Sequence, residues 1–358
     1  MPLVCSRLRL NDLPPPPSGH TGWPWTEDSG GSSLEILSDT QMAGYPRISI
    51  ITPSYNQGEF IEATIRSVLL QGYPNLEYII MDGGSTDQTV ELIKRYEPWI
   101  AAWVSAGDRG QSHAINQGLA RASGDILAYL NSDDYYLPGA LLQVAEYHQQ
   151  FPNADLLHGR CRYVDAAGTR VIEQFGQISS LDEIVNLWEV WWAQRQFVQP
   201  EVFWTRSIMQ RVGRFREQLH YGMDYDYWCR ILAAGGTVGR LDAAIACFRL
   251  TPQQKSSQRG AVAAELLTIV QPLLWPDSPL RTAQLPGRKR WQLQGKWLYQ
   301  AIFLEQVARS LSGGDRPLCR WVKSVAVLLQ HPKILLVPAF QRRVKQAVSR
   351  LLGFRLGT

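Results

Sequence analysis

Polar and acidic residues recur in this 358-residue chain directly after short apolar runs. ISIIT leads into Pro53-Ser54-Tyr55-Asn56, LEYIIM into Asp82-Gly83-Gly84-Ser85, WIAAWVSA into Gly107-Asp108-Arg109, and DILAYL into Asn131-Ser132-Asp133-Asp134. Any one of these acids is an ordinary turn residue, since Asp and Gly favour turns for local reasons. Four such run ends together point to one polar edge able to bind a ligand. Carboxylates alone would repel a phosphate. A hard divalent cation, Mg2+ or Mn2+, resolves the conflict, because it takes carboxylate oxygens and keeps positions for phosphate and water. The adjacent pair Asp133-Asp134 is the best candidate for holding it. The chain has neither GxGxxG nor GxxxxGK[ST], so the dinucleotide fingerprint and the P-loop are both missing.

The elements that must position these residues follow from hydrophobic spacing. The β-branched run from Arg47 predicts a buried strand, and Phe60, Ile61, Ile65, Val68 and Leu69 predict a helix over 59–71. LEYIIMD predicts a second strand, followed by a helix capped by Ser85 or Thr86 and running to about Glu97. WIAAWVSA and DILAYLN predict two more strands; helices are expected over 111–122 and 139–150. Strand and helix alternate about every 25–30 residues, the rhythm of right-handed βαβ units in a mostly parallel sheet. The fold class is therefore α/β, and in such sheets ligands bind beyond the carboxyl ends of the strands. After Phe151 the rhythm loosens. Short strands are expected over 156–164 and 198–204 and helices over 181–191 and 224–234, with further helices at 262–274, 291–311, 318–330 and 339–352.

The order ISIITPSYN, IIMDGGSTDQT, SAGDRGQSHAINQGLARASGDILAYLNSDDYYLPGAL resembles the inverting glycosyltransferases of family 2, and QPEVFWTRSIMQRVGRFREQLHYGMDYDYWCRILAAGG is similar to their acceptor half. The resemblance covers residues 45–258 and rests on five motifs in family order. It implies a GT-A fold, a Rossmann-like and mostly parallel sheet flanked by helices, with a nucleotide-binding half (45–150) and an acceptor half (151–259). It also implies a nucleotide-diphosphate sugar donor with Mn2+ or Mg2+, and a glycan or lipid-linked hydroxyl acceptor.

Residue by residue, the resemblance sets Pro53 and Tyr55 against the nucleotide base and Asp82 on the base or ribose. Asp108 and Arg109 would line the nucleotide-sugar pocket. Asn131-Ser132-Asp133 stands in the place of the DxD motif, with Asp133 and Asp134 carrying the metal and diphosphate. Asn131 replaces the usual first acid, Ala106-Gly107 stands where relatives often have Glu-Pro, and Thr251 stands where a His is common, while Arg249 and Lys255 remain able to pair with phosphate. In MDYDYW, Asp224 matches the general base. Inversion by single displacement needs one carboxylate to take the acceptor hydroxyl proton, and no separate nucleophile. Asp226, two residues on, points elsewhere on the helix. Trp188, Trp191, Trp192, Phe203, Trp204, Tyr221, Tyr225, Tyr227 and Trp228 crowd the acceptor half; each is expected in the core, with some free to line an acceptor groove. His113 and His158 read as structural or pocket-polar groups rather than ligands.

The net charge of +4 hides an asymmetry. Residues 281–358 hold 15 Lys and Arg against 2 Asp and Glu, which leaves 21 basic and 30 acidic groups in 1–280. Residues 260–358 are expected to form a helical basic extension, and its segment 281–358 is read either as a solvated face or as a peripheral contact with anionic membrane. Nucleic acid is not expected, since no binding motif accompanies the charge. Residues 1–44, with PPPPSG and GWPWTEDSGGSS, read as a flexible or surface-pasted arm that Trp23 and Trp25 could pin. Five scattered cysteines without a CxxC pair argue against a disulfide framework or structural zinc. Without an apolar run behind Arg7 and Arg9, or a spanning segment, the expected setting is cytoplasmic, peripheral at the inner face of the membrane if the tail binds there. The expected product is polysaccharide or cell-envelope glycan. Two alternatives remain, a nucleotidyltransferase on a related sheet and a non-catalytic sugar-nucleotide or glycan-binding protein.

Overall fold

In the first strand, β1 (Ile48–Ser54), Ile48 and Ile50 face one side of a sheet and Ile51 the other, all fully buried. A strand apolar on both faces needs covering layers on both sides. The computed structural model describes residues 8–28, 44–187, 190, 195–251, 254–255 and 258–274. Parallel to β1 run β2 (Leu76–Asp82) and β4 (Ile126–Tyr129), and β3 (Ala102–Ser105) runs parallel to β2. The remaining strands are β5 (Tyr135–Tyr136), β6 (Leu156–Val164), β7 (Arg170–Phe175), β8 (Val202–Thr205) and β9 (Val238–Arg249). The order is β3-β2-β1-β4-β8-β6-β9-β5, with β7 paired to β6. β8 is antiparallel to β4 and β6, so the parallel half passes into a mixed half at β4.

The helices are α1 (Ile61–Leu69), α2 (Thr89–Tyr96), α3 (Gln111–Arg121), α4 (Ala140–Gln150), α5 (Leu181–Ile184), α6 (Arg206–Val212), α7 (Met223–Ala233) and α8 (Arg259–Leu274). On one face, Ile51, Ile79 and Met81 pack with α3 and α7. On the other, Ile48, Ile50 and Ile80 pack with α1, α2 and α4. The expected α/β architecture stands.

Several local expectations are corrected. The second helix starts at Thr89, not after Ser85 or Thr86, because the Asp87 carboxylate takes the Thr89 N–H at 3.0 Å while Ser85 is turned to Asp82. The helix expected over 181–191 ends at Ile184. Arg170–Phe175 and the twelve-residue Val238–Arg249 are strands that carried no continuous apolar signal. Residues 260–358 are expected as a helical basic C-terminal region, of which 275–358 lie outside the described residues. Within the described part, Leu266, Ile269, Val270 and Leu273 of α8 are buried in the same core as Trp204 and Tyr225. The basic segment 281–358, its three expected helices, and Trp188, Trp191 and Trp192 lie outside the described residues.

The N-terminal arm is pinned, and chiefly by a residue the sequence reading passed over. Arg66 of α1 is fully buried; its guanidinium donates to the carbonyls of Pro14 (2.7 Å), Pro24 (3.0 Å) and Trp25 (3.2 Å) and to the Tyr96 hydroxyl (3.0 Å). The Trp23 indole N–H donates to the Tyr136 carbonyl at 2.7 Å, and Leu13 enters the core. A buried cation demands acceptors on every side, and the arm's carbonyls supply them.

Candidate active site

The carboxyl ends of β1, β2, β3 and β4 open onto one crevice, and hydrogen bonds across neighbouring loops fix its walls. Asn56 adopts a left-handed conformation (φ 51°) just after β1 and accepts the Thr86 N–H at 2.9 Å, so the first two loops hold each other. Pro53 is buried at the end of β1, while Tyr55 is 62% exposed at the mouth. A Cβ on Gly83 would stand 3.0 Å from Asp108 Oδ2 and 3.4 Å from the Tyr55 ring. Glycine there lets the tyrosine ring and the carboxylate approach across the loop. Asp82 is buried and satisfied within its own turn. Oδ2 accepts from Gly84 N–H (3.1 Å), Ser85 N–H (2.9 Å) and the Ser105 hydroxyl (2.6 Å), and Oδ1 from the Ser85 hydroxyl. Asp108 accepts the Gly110 N–H at 2.7 Å, and Arg109 pairs with Glu217 at 2.7 Å.

At the end of β4, the segment Asn131–Asp134 is clamped from α1. The Thr64 hydroxyl is shared between the carbonyls of Ser132 (2.9 Å) and Asp134 (2.7 Å), the Ser67 hydroxyl accepts Tyr136 N–H, and Gln71 bonds Leu137 and Leu141. Thr64 and Ser67 lie on α1 and Gln71 just past its end, and all three are buried.

Asp134 is 1% exposed. Its Oδ1 accepts the Arg249 N–H at 2.9 Å, whereas its Oδ2 is buried without a hydrogen bond. Burial, and next the neighbouring Asp133, push the Asp134 carboxyl well above the ordinary range; burial also raises Asp133. Two adjacent acids in a low-dielectric wall cannot easily both ionise without a cation. Arg249, 7% exposed, is held by the protein through two donors: Nε donates to the Asp133 carbonyl (2.9 Å) and Nη1 to that of Ala166 (2.7 Å), with Phe60 and Tyr135 against its plane. It braces the acid pair from behind.

Asn131 is held in a chain of side chains. Lys255 Nζ donates to Gln111 Oε1 (3.0 Å), Gln111 Nε2 to Asn131 Oδ1 (2.6 Å), Asn131 Nδ2 to Gln199 Oε1 (3.0 Å), and Gln199 Nε2 to the Tyr129 carbonyl (2.6 Å). Gln111 and Gln199 were not singled out from the sequence. No group of three or more His, Cys, Asp or Glu side chains that could hold a metal occurs among the described residues. The acid pair therefore offers part of a coordination shell, with one orphan carboxylate oxygen.

Asp224 stands in the first turn of α7, and its Oδ1 accepts the Tyr225 N–H at 2.7 Å. Burial raises its carboxyl to about 6, with backbone N–H groups opposing and Glu265 adding to the rise. Asp226 is separate in role, paired with Arg216 (2.9 Å) and Arg230 (2.8 Å). The N-terminus of α3 lies between the two acid sites: Gln111 bonds Asn131, and the hydroxyl of Ser112 lies 2.7 Å from Met223 Sδ, beside Asp224. Tyr129 also senses both. Burial, then Asp224 and Asp134, raise its phenol well above the ordinary value.

Phe203, Trp204, Tyr225, Tyr227 and Trp228 are buried in the core, and among the described rings of that set only Tyr221 is partly exposed. His158 is buried beside Glu201 (3.9 Å) and is driven down to about 4 by burial, which leaves it neutral and structural. His113 lies on α3 at 3.4 Å from the Gln117 amide.

A model of the family described as Glycosyl transferase family 2 matches residues 49–216. A Bacillus subtilis protein named for teichuronic acid biosynthesis, the glycosyltransferase TuaG, is 39% identical over 225 residues, covering 61% of this chain and 84% of that one. An uncharacterized glycosyltransferase of Mycobacterium tuberculosis is 40% identical over 107 residues, and there the match spans 29% of this chain and only 41% of the relative's length. Among solved structures, Staphylococcus aureus TarS 1–349 in complex with UDP-GlcNAc aligns with a TM-score of 0.59 at 18% identity, covering 81% of this chain and 84% of that one. A mannosyltransferase from Pyrobaculum calidifontis, in complex with GDP-Man and Mn2+, aligns with a TM-score of 0.51 at 18% identity, covering 87% and 88%. No helix among the described residues is long and apolar enough to cross a membrane. With a mostly parallel sheet in GT-A-like order and a relative matched along most of its length, the chain belongs to glycosyltransferase family 2.

Proposed function

We propose that the protein transfers a sugar from a nucleoside-diphosphate sugar to a hydroxyl of a growing cell-envelope glycan, with inversion at the transferred carbon. One observation carries this reading: the first turn of α3 touches both acid sites, Gln111 Nε2 donating to Asn131 Oδ1 at 2.6 Å and the Ser112 hydroxyl lying 2.7 Å from Met223 Sδ, next to Asp224. An acid pair suited to a diphosphate-bound cation and a single acid suited to proton abstraction therefore border the same crevice. A single displacement requires that arrangement, with leaving group and base on different sides of the sugar.

Tyr55, Pro53 and Asp108 would border the nucleotide, with Gly83 leaving room between the ring and the carboxylate. Asp82 shapes the same wall through its turn, and Arg109 ties the pocket loop to Glu217 of the acceptor half. Asp133 and Asp134 would hold Mn2+ or Mg2+. The orphan Asp134 Oδ2 and the strained proximity of two acids fit a hard cation, which needs only one or two protein carboxylates when phosphate and water complete its shell. Bound there, the cation would stabilise the charge of the leaving diphosphate. Asn131, in place of the usual first acid, keeps Gln111 and Gln199 in line, and Lys255 joins the same chain through Gln111. Arg249 braces the acid pair through two of its donors, Nε on the Asp133 carbonyl and Nη1 on that of Ala166, and its other Nη remains a candidate phosphate contact.

Asp224 takes the proton of the acceptor hydroxyl. Near neutral pH a carboxyl titrating at about 6 is largely ionised, yet it is a stronger base than an ordinary aspartate. The bond from the acceptor oxygen to the anomeric carbon forms as the bond to the diphosphate oxygen breaks, and a nucleoside diphosphate leaves. The membrane contact expected of residues 281–358 remains part of this reading, resting on their charge.

The reading is tested by thermal shift with UDP- and GDP-sugars, each with and without Mn2+. At least one donor is expected to raise the melting temperature, and more with Mn2+. Stabilisation by no donor under either condition would remove the catalytic reading.

A further inference from the structure

We propose that Glu265, on a helix beyond the family-matched segment, is a positioning residue for Asp224, holding the turn that delivers this acid to the crevice. The inference rests on the reading of Asp224 as the base. Three consecutive backbone N–H groups converge on the one carboxylate: His220 donates to Oε1 at 2.9 Å, and Tyr221 and Gly222 donate to Oε2 at 2.6 and 2.5 Å. The Tyr221 hydroxyl donates to Gln258 at 2.8 Å, just before α8, so the turn is gripped at two points. Gly222 permits the close seating. A Cβ there would stand 2.9 Å from Ile269 Cδ1 and 3.2 Å from Leu266 Cδ2, both side chains of α8. The first helical bond of α7 then starts from this turn, Asp226 N–H donating to the Gly222 carbonyl at 2.8 Å.

A neutral acceptor could satisfy one or two of these N–H groups. A carboxylate satisfies all three and adds a negative charge next to the base. That charge opposes ionisation of Asp224, so Glu265 fixes where the base stands and adds to the rise in its carboxyl that burial chiefly causes. The other titratable groups within electrostatic reach of Asp224 are Tyr129 of β4 and, further along α7, Cys229, both held protonated by burial. Asp226 on the same helix is neutralised by Arg216 and Arg230. Lys255 faces Glu265 and Asp108, on the side of the Gln111 amide. Glu265 is thus the acid whose removal changes the field at Asp224 without removing a proton acceptor from the crevice.

The test replaces Glu265 in the full chain and reads two quantities. In Glu265→Gln, kcat should fall about tenfold or more with donor KM within about twofold, the signature of a misplaced reacting group. The Asp224 carboxyl, followed by 13C NMR in the unliganded protein, should titrate at lower pH than in wild type, and the acid limb of kcat/KM should move the same way. An Asp224 titration and a kcat both unchanged in Glu265→Gln would overturn the proposal. Loss of kcat with an unmoved titration and a matching loss of thermal stability would also overturn it, reducing Glu265 to scaffolding. If Glu265→Gln does not fold, Glu265→Asp keeps the charge at shorter reach: kcat should fall while the Asp224 titration stays near the wild-type value, and an unchanged kcat there overturns the proposal. The titration needs no turnover, so it still judges Glu265 if Asp224→Asn proves active and the base assignment falls.

Discussion

The acid pair after β4 and the single acid heading α7 are both raised by burial, yet their surroundings are opposite in kind. Asp134 is packed beside a second acid, with Oδ2 buried and without a hydrogen-bond partner among the described residues. Asp224 has one backbone N–H on its carboxylate and stands in a turn stapled by Glu265. On the proposed reading a cation would complete the first site, whereas the second needs none. Burial alone thus does not define a role. What the protein leaves unsatisfied at one site, and what it satisfies at the other, separates a charge-holder from a proton-acceptor.

The largest expected break in that contrast is Asp224→Asn, which should lower transfer about 10³-fold while donor binding by calorimetry stays within about twofold. Transfer near the wild-type rate would remove Asp224 from the chemistry. Next comes pH. If Asp224 is the base, with burial raising its carboxyl to about 6, kcat/KM should be flat above about pH 7 and fall about tenfold per unit well below 6.

A smaller effect separates the two sites by stability. Asp134 has a folded-state carboxyl raised above its unfolded value, so the folded protein holds that proton more tightly, and stability from this group is lost as pH rises through the folded pKa. Asp134→Asn should therefore melt about 2–4 °C higher than wild type at pH 8 without metal, with the gap closing in acid. The variant should also lose the wild-type stabilisation by Mn2+ with donor. The smallest change is Asn131→Asp. It adds a carboxylate beside the pair but takes away the donor to Gln199, so Mn2+ should bind about three- to tenfold tighter by calorimetry. The metal-free protein should lose about 1 kcal/mol in denaturant melts.

The parallel half was legible because its strands are continuous apolar runs and its turns carry Pro, Asn, Asp and Gly at each end. The same logic exposed Asp82, Asp108, Asp133 and Asp134. It failed where partners come from far along the chain. Nothing near Asn131 announces Gln199, and nothing near Asp224 announces Glu265, forty-one positions later. Val238–Arg249 was missed because its half-exposed alternation is interrupted by Gly239 and Ala243-Ala244, and its pairing with β6 is set by tertiary contact. Arg249 looked wholly available to phosphate because sequence cannot show that two donors of a guanidinium are already held by carbonyls and its plane by rings.

The buried Arg66 carries a consequence for the order in which the molecule is made. Synthesis delivers residues 8–28 before any of their partners exist. Arg66 follows the Pro14 carbonyl by 52 positions, and Tyr136 follows Trp23 by 113. The arm, translated first, is thus among the last parts to find its seat, and it can dock only on a body whose α1, α2 and β5 have already come together. Until then Arg66 must stay hydrated, and the closing of the arm over it takes its guanidinium out of water.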